Sequence, residues 1–184
     1  MMALVPGVIS LLDSAATARV EALCQEMTKR FGVGRGFPGG IPHLTFHISS
    51  RDIEPGAIAV VERVASEVPP FTLFSSGLGT FAGPDGPIVF IGVARAPAAA
   101  SLAETLDRKL AAAGYPGTDP YYTPDRWVPH ITIAQQNLDG VDLGALLAWL
   151  TAQPLAFELP LTSLSVAKET PTGADILATF PLGG

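Results

Sequence analysis

The sequence predicts an α+β fold in which one supersecondary unit is used twice. The first observation is a restated motif. PHLTFHI, Pro42 to Ile48, returns as VPHITIA, Val128 to Ala134, and each copy reads Pro, His, apolar, Thr, apolar. The second is that the surroundings repeat with it. From His43 to Phe71 is 28 residues, and from His130 to Phe157 is 27. Helical patterns fill both intervals: Val60, Val61, Val64 and Val68 in one, Leu143, Leu146, Leu147 and Leu150 in the other. FTLFSSGL and FELPLTSL then follow, and upstream each His segment is preceded by an apolar strand and a helix. The unit is therefore strand, helix, His strand, helix, strand. Its two copies, at about residues 5–80 and 86–168, interleave in a single domain.

Gly7 to Leu12 reads as an apolar strand, and Asp13 or Ser14 can cap the helix that follows to about Phe31. Val20, Leu23, Cys24, Met27 and Phe31 fall at helical spacing, which assigns Cys24 to the core rather than to a nucleophile. FGVGRGFPGGI, Phe31 to Ile41, is dense in glycine but lacks the Lys-Ser/Thr ending of a phosphate loop. It is either a connector or a rim on which Arg35 and Phe37 meet substrate.

Arg51 and Asp52 end the first His strand, and a helix runs from about Pro55 to Val68. Strands at Phe71–Leu78 and Pro87–Ala94 flank GPDGP, a hairpin signal. A third helix, about 98–113, shows Leu102, Leu106 and Leu110. Gly114 to Pro129 is the longest irregular stretch, and loops of that length are disproportionately functional. Tyr121, Tyr122, Arg126 and Trp127 there can stack on a base or pair with phosphate; alternatively the aromatics pin the loop to the body. A closing hairpin spans 155–181, with arms Leu155–Ala167 and Ala174–Phe180 around Thr170-Pro171-Thr172-Gly173. Lys168 either reaches a phosphate or ends a strand in solvent.

Composition sets the frame. With 48% hydrophobic and 15% charged residues, the 184-residue chain can bury a sizeable core and does not read as disordered. A net charge of −6 argues against long nucleic acid, which needs a Lys/Arg footprint, but leaves small anionic ligands open. No apolar run reaches membrane-spanning length. The opening residues lack the positive flank of a signal peptide, so they are read as part of the mature protein. The lone Cys24 excludes an internal disulfide and fits a reducing cytoplasm.

In a strand, residues two apart share a face. His43 with Thr45, and His130 with Thr132, would therefore project together, while Leu44, Phe46, Ile131 and Ile133 turn to the core. This set suits phosphodiester chemistry. A neutral imidazole takes a proton from an attacking water or hydroxyl, an imidazolium gives one to the leaving oxygen, and hydroxyls hold the phosphoryl oxygens. No metal or cofactor is needed. His43 and His47 share a face on the same rule but stand about 13 Å apart along a strand, too far to bind one ion. His47 is thus assigned a structural or peripheral role, and no acidic residue accompanies either motif. No G-x-S-x-G is present for serine hydrolysis.

With HLTF at His43 to Phe46 and HITI at His130 to Ile133 in a duplicated frame, the chain resembles the 2H phosphoesterase superfamily. Within it, the likeness is to the bacterial 2′-5′ RNA ligase and cyclic phosphodiesterase group, over nearly the whole chain. The resemblance implies two pseudo-symmetric β-α-β lobes, with antiparallel-rich sheets facing a central cleft lined by both motifs and helices outside. It also implies hydrolysis of 2′,3′-cyclic phosphates or related cyclic and 2′-5′ linkages, without metal, and in some members the reverse ligation. The expected partner is a small cyclic phosphodiester or an RNA 3′ end, bound by a monomer without a duplex or a membrane. A non-catalytic nucleotide or RNA-end binding module is the competing reading, and a turnover assay separates the two.

Overall fold

The structure is a computed structural model that describes residues 6–35, 40–49, 55–83, 86–118, 120–170 and 173–183. Local signals place the helices closely. In α1 (Ser14–Phe31), the Asp13 carboxylate accepts from the Ala16 amide at 2.8 Å. The helix stops at Gly32, whose φ of 69° lets its N–H return to the Thr28 carbonyl. α2 (Pro55–Glu67) and α3 (Pro97–Ala112) both begin at a proline, where no helical N–H is lost. Asp142 caps α4 (Leu143–Thr151) through the Ala145 amide. No helix among the described residues is long and apolar enough to cross a membrane.

Among the described residues, the strands form two antiparallel sheets. The first has four, in the order β3 (His43–Ile48), β1 (Pro6–Leu11), β8 (Ser163–Thr170), β9 (Gly173–Pro181). The second has five: β2 (Gly34–Arg35), β6 (His130–Gln136), β5 (Gly86–Val93), β4 (Phe71–Gly83) and β7 (Glu158–Leu161). This is the expected α+β architecture of two lobes around a cleft. Each lobe carries one His strand.

The lobes exchange parts. β4 ends the first repeat unit but pairs with β5 of the second, and β8 ends the second unit but pairs with β1 of the first. The helices cross over as well. α1 packs on β2 and β6 of the second sheet, where Cys24 is fully buried and its thiol meets the Ile133 carbonyl at 3.7 Å. α3 packs on β3 of the first sheet, beside α2. One continuous apolar core, with Val20, Met27, Leu44, Phe46, Leu106, Ile131, Ile133 and Leu146 at its centre, therefore spans both lobes.

Two predicted elements differ from those observed. The first arm of the closing hairpin, expected as one strand over 155–167, is broken at Thr162. β7 stays on the second sheet against β4, and β8 passes to the first. An apolar run reads alike whether it lies on one sheet or changes sheets, so periodicity could not show the break. The hairpin around GPDGP is longer than expected: β4 reaches Gly83, which pairs with Gly86 at φ 119°.

Candidate active site

The two His strands are built alike. Relative to β1, β3 carries one extra residue at Phe46; relative to β5, β6 carries one at Ile133. Each bulge lies three residues after its histidine, so the duplication extends to backbone irregularity. Ahead of each bulge the alternation holds. Leu44, Phe46, Ile131 and Ile133 are buried, and His43, Thr45, His130 and Thr132 are half-buried on the other face. Past it the alternation fails, and Phe46–His47 and Ile133–Ala134 are buried in succession. The expectation that His47 shares a face with His43 is therefore corrected: the bulge turns it inward, to 2% exposure.

Each motif histidine is held by the same device. Nδ1 of His43 lies 2.8 Å from the Ile41 carbonyl, and Nδ1 of His130 lies 2.7 Å from the Val128 carbonyl, two residues upstream in both cases. A carbonyl can only accept, so Nδ1 carries the proton and Nε2 is left to gain or lose one. Burial pushes the His43 imidazole below its ordinary value, against the opposing pull of the Ile41 carbonyl. Burial lowers His130 too, with the Val128 carbonyl opposing and the charge of His43 adding to the fall. His130 thus senses the charge of His43.

Their surroundings are unequal. On the first sheet, His43 and Thr45 stand opposite Leu11 and Ile9, both aliphatic. On the second, His130 stands opposite Gly92, and Thr132 opposite Phe90. Aromatic rings gather around His130: Phe81 at 4.9 Å edge-on, Phe90 at 5.1 Å and Tyr122 at 6.1 Å. Phe81 stacks on Phe90 at 4.2 Å, and Tyr121, 58% exposed, lies 6.0 Å from Phe81. Phe90 lies flat because its cross-strand partner is Gly79. A Cβ there would meet the ring at 2.3 Å.

Phe81 and Phe90 were not singled out in the sequence, although a signal existed. Counting outward from the GPDGP turn sets Phe90 opposite Gly79 and diagonal to Phe81, and the β5–β6 pairing sets it against the second motif.

The remaining expected residues divide. Tyr122 joins the site, on the 3-10 turn Pro120–Tyr122. Arg126 is exposed, in a turn where its amide donates to the Thr123 carbonyl. Beside it, the Thr123 hydroxyl, backbone amides and Arg126 itself hold the Asp125 carboxyl below its usual range. Trp127 is a correction. At 2% exposure it cannot stack on a base; its ring packs on Phe46 at 5.0 Å and its Nε1 donates to the Thr45 carbonyl at 2.9 Å. Arg35 is paired by its backbone to Ala134 at the edge of the second sheet, and Phe37 lies outside the described residues. Lys168 sits within β8 between Pro6 and Asp175, rather than at a free strand end. Among the described residues, no three His, Cys, Asp or Glu side chains gather as a metal-holding group.

Comparison with solved structures gives the same fold over nearly the whole chain. TT0787 of Thermus thermophilus matches with a TM-score of 0.67 at 22% identity, covering 98% of each chain. E. coli LigT, complexed with 3′-AMP, matches with a TM-score of 0.64 at 17% identity, over 97% of this chain and 99% of that one. Usb1 of Kluyveromyces marxianus matches with a TM-score of 0.55 at 13% identity, over 97% and 98%. No curated protein sequence matches the chain. The model of the 2′-5′ RNA ligase superfamily matches residues 11–172, both His-Thr motifs included, and supports an enzyme of the two-histidine phosphoesterase type. With nearly all of its length so matched, the chain belongs to the 2′-5′ RNA ligase superfamily.

Proposed function

We propose that the protein is a metal-independent phosphodiesterase that opens 2′,3′-cyclic phosphates of nucleotides or RNA ends, or cleaves related 2′-5′ linkages, and can run the reverse ligation. The observation that carries this is the matched pair of imidazoles, each pinned at Nδ1 and each followed by a threonine on the same strand face.

With the phosphorus between the lobes, Nε2 of one imidazole takes the proton of an attacking water. Nε2 of the other gives a proton to the departing ribose oxygen. The Thr45 and Thr132 hydroxyls donate to the non-bridging oxygens, whose charge grows in the transition state. The rings around His130 receive the nucleobase, since every base offers a face for stacking. E. coli LigT has been crystallised with 3′-AMP. A 3′-nucleotide is what a 2′,3′-cyclic phosphate becomes when the 2′ oxygen leaves. Both motifs come from one chain, so a monomer completes the site, and the buried Cys24 thiol suits a cytoplasmic protein.

A screen of 2′,3′-cyclic nucleotides, an ADP-ribose cyclic phosphate and 2′-5′ dinucleotides tests the reading. Hydrolysis of at least one class is expected to proceed at an unchanged rate in EDTA. Turnover that vanishes with chelation and returns with a divalent ion contradicts the metal-free mechanism. No turnover on any of them favours the binding-module reading.

Arg126→Ala is expected to raise KM several-fold with kcat little changed, because an exposed guanidinium four residues upstream of His130 in the chain can hold a phosphate bidentately. A collapsed kcat at constant KM would place Arg126 in the chemical step instead. No change in either would return it to the surface.

A further inference from the structure

We infer that His47 is a positioning residue: its buried imidazole docks the loop after α3 onto β3, and through that loop sets Tyr122 beside His130. In the repeat, the residue after each bulge is His47 in one copy and Ala134 in the other. The strand geometry does not require a histidine there, since alanine fills the matching place. The difference lies in what reaches each strand.

Each helix-to-His-strand connection borders the His strand of the other lobe. After α1, Gly34 and Arg35 pair with β6 opposite Gln136 and Ala134. After α3, the chain bridges Ser49 at Gly117, and Thr118 donates its amide to the Ile48 carbonyl at 3.2 Å. Here a side chain adds to the backbone contacts. Nε2 of His47 reaches the Tyr115 carbonyl at 3.1 Å, so Nε2 must be the donor. Nδ1 faces Asp107 of α3 at 3.8 Å. Burial lowers the imidazole below its ordinary value, against the pull of the Tyr115 carbonyl and the Asp107 carboxylate. This contact needs the proton on Nε2.

The loop is therefore fastened to β3 on either side of the segment that bears Tyr121 and Tyr122. His47 holds Tyr115, and Thr45 holds Trp127 through its carbonyl. Tyr122 in turn lies beside His130. One strand thus carries an acid–base group at His43 and, four residues on, an anchor for the loop that brings Tyr122 to the opposite half-site. Gly117 is part of the same joint, where a Cβ would press on the His47 ring and on Asp107, each at 3.3 Å.

Three variants test this, with two readouts. His47→Leu removes the donor at similar volume, whereas His47→Gln can keep an N–H near the Nε2 position. Gly117→Ala strains the joint from the loop side. The first readout, amide hydrogen exchange, is independent of the proposed function. Exchange at Thr118 and Trp127 is expected to rise about tenfold in His47→Leu, with β5 amides unchanged, and to stay near wild type in His47→Gln. The second, which rests on the proposed function, is hydrolysis of 2′,3′-cyclic AMP. KM is expected to rise about tenfold in His47→Leu with kcat within about twofold, and to recover in His47→Gln. Gly117→Ala should show the same pattern more weakly, and it serves as the test if His47→Leu fails to fold. Loop exchange at the wild-type level in both His47→Leu and Gly117→Ala overturns the inference. So does a His47→Gln protein as impaired as His47→Leu. If the wild type hydrolyses nothing, the proposed function fails while the exchange result still decides the role of His47.

Discussion

His43→Ala and His130→Ala are each expected to lower kcat/KM by a factor on the order of 10²–10⁴, the usual cost of losing a general acid or base. The double variant should be little worse than the poorer single one, because both imidazoles serve one chemical step. Thr45→Val and Thr132→Val should cost less, each removing one hydrogen bond to the phosphoryl group. The pH profile carries a second signature. One imidazole must be neutral and the other charged, so kcat/KM should be bell-shaped. Burial depresses both imidazoles, and the charge of His43 depresses His130 further. Each histidine is thus neutral down to a lower pH than usual, and the last proton is lost at a lower pH too. The maximum of kcat/KM should therefore fall on the acid side of the ordinary histidine value of about 6.5. The limbs belong to the coupled pair rather than to single residues. In kcat, which reports the enzyme–substrate complex, the bound phosphate anion should draw both limbs back toward higher pH. A His130→Ala enzyme with near-wild-type turnover, or a flat profile between pH 5 and 8, would remove the basis of the mechanism.

Trp127→Ala is expected to destabilise the fold by about 3–5 kcal/mol, the range for truncating a large buried aromatic. The cost combines a void against Phe46 with a Thr45 carbonyl deprived of its indole donor. Trp127→Phe keeps most of the packing and should cost about 1 kcal/mol for the hydrogen bond alone. Urea unfolding of the two variants separates the contributions. Equal losses would mean that the hydrogen bond dominates, and a loss under 1 kcal/mol for Trp127→Ala would show that the site relaxes around the gap. Activity should fall together with stability, since this indole joins the segment entering β6 to the strand that bears His43.

What the sequence revealed was what is periodic or repeated. Helix boundaries follow from caps and apolar spacing, and His43, Thr45, His130 and Thr132 follow from the motif because strand geometry forces i and i+2 to one face. What it concealed depends on pairing. The turn of His47 into the interior requires knowing that β3 has one residue more than β1. The break at Thr162 requires knowing that two sheets compete for one run of residues. Trp127 suits a stacking platform and a buried pin equally well as a residue type, and only its burial decides. The flat ring of Phe90 rests on a glycine eleven residues earlier, a relation that exists only once β4 and β5 are in register.

The exchange of strands between repeats governs the order in which this protein can be built. A ribosome delivers the chain from its N-terminal side, and pairings distant in sequence wait for both partners. β4, β5 and β6 are neighbours in the chain and on the sheet, so the platform that holds His130 and its aromatic rings can assemble once residue 136 is available. β1 and β3 are made first, yet β1 finds its second neighbour only in residues 165–168 of β8. The half of the cleft that holds His43 is thus the first to be synthesised and the last to close, leaving the edge of β1 uncovered in the interval.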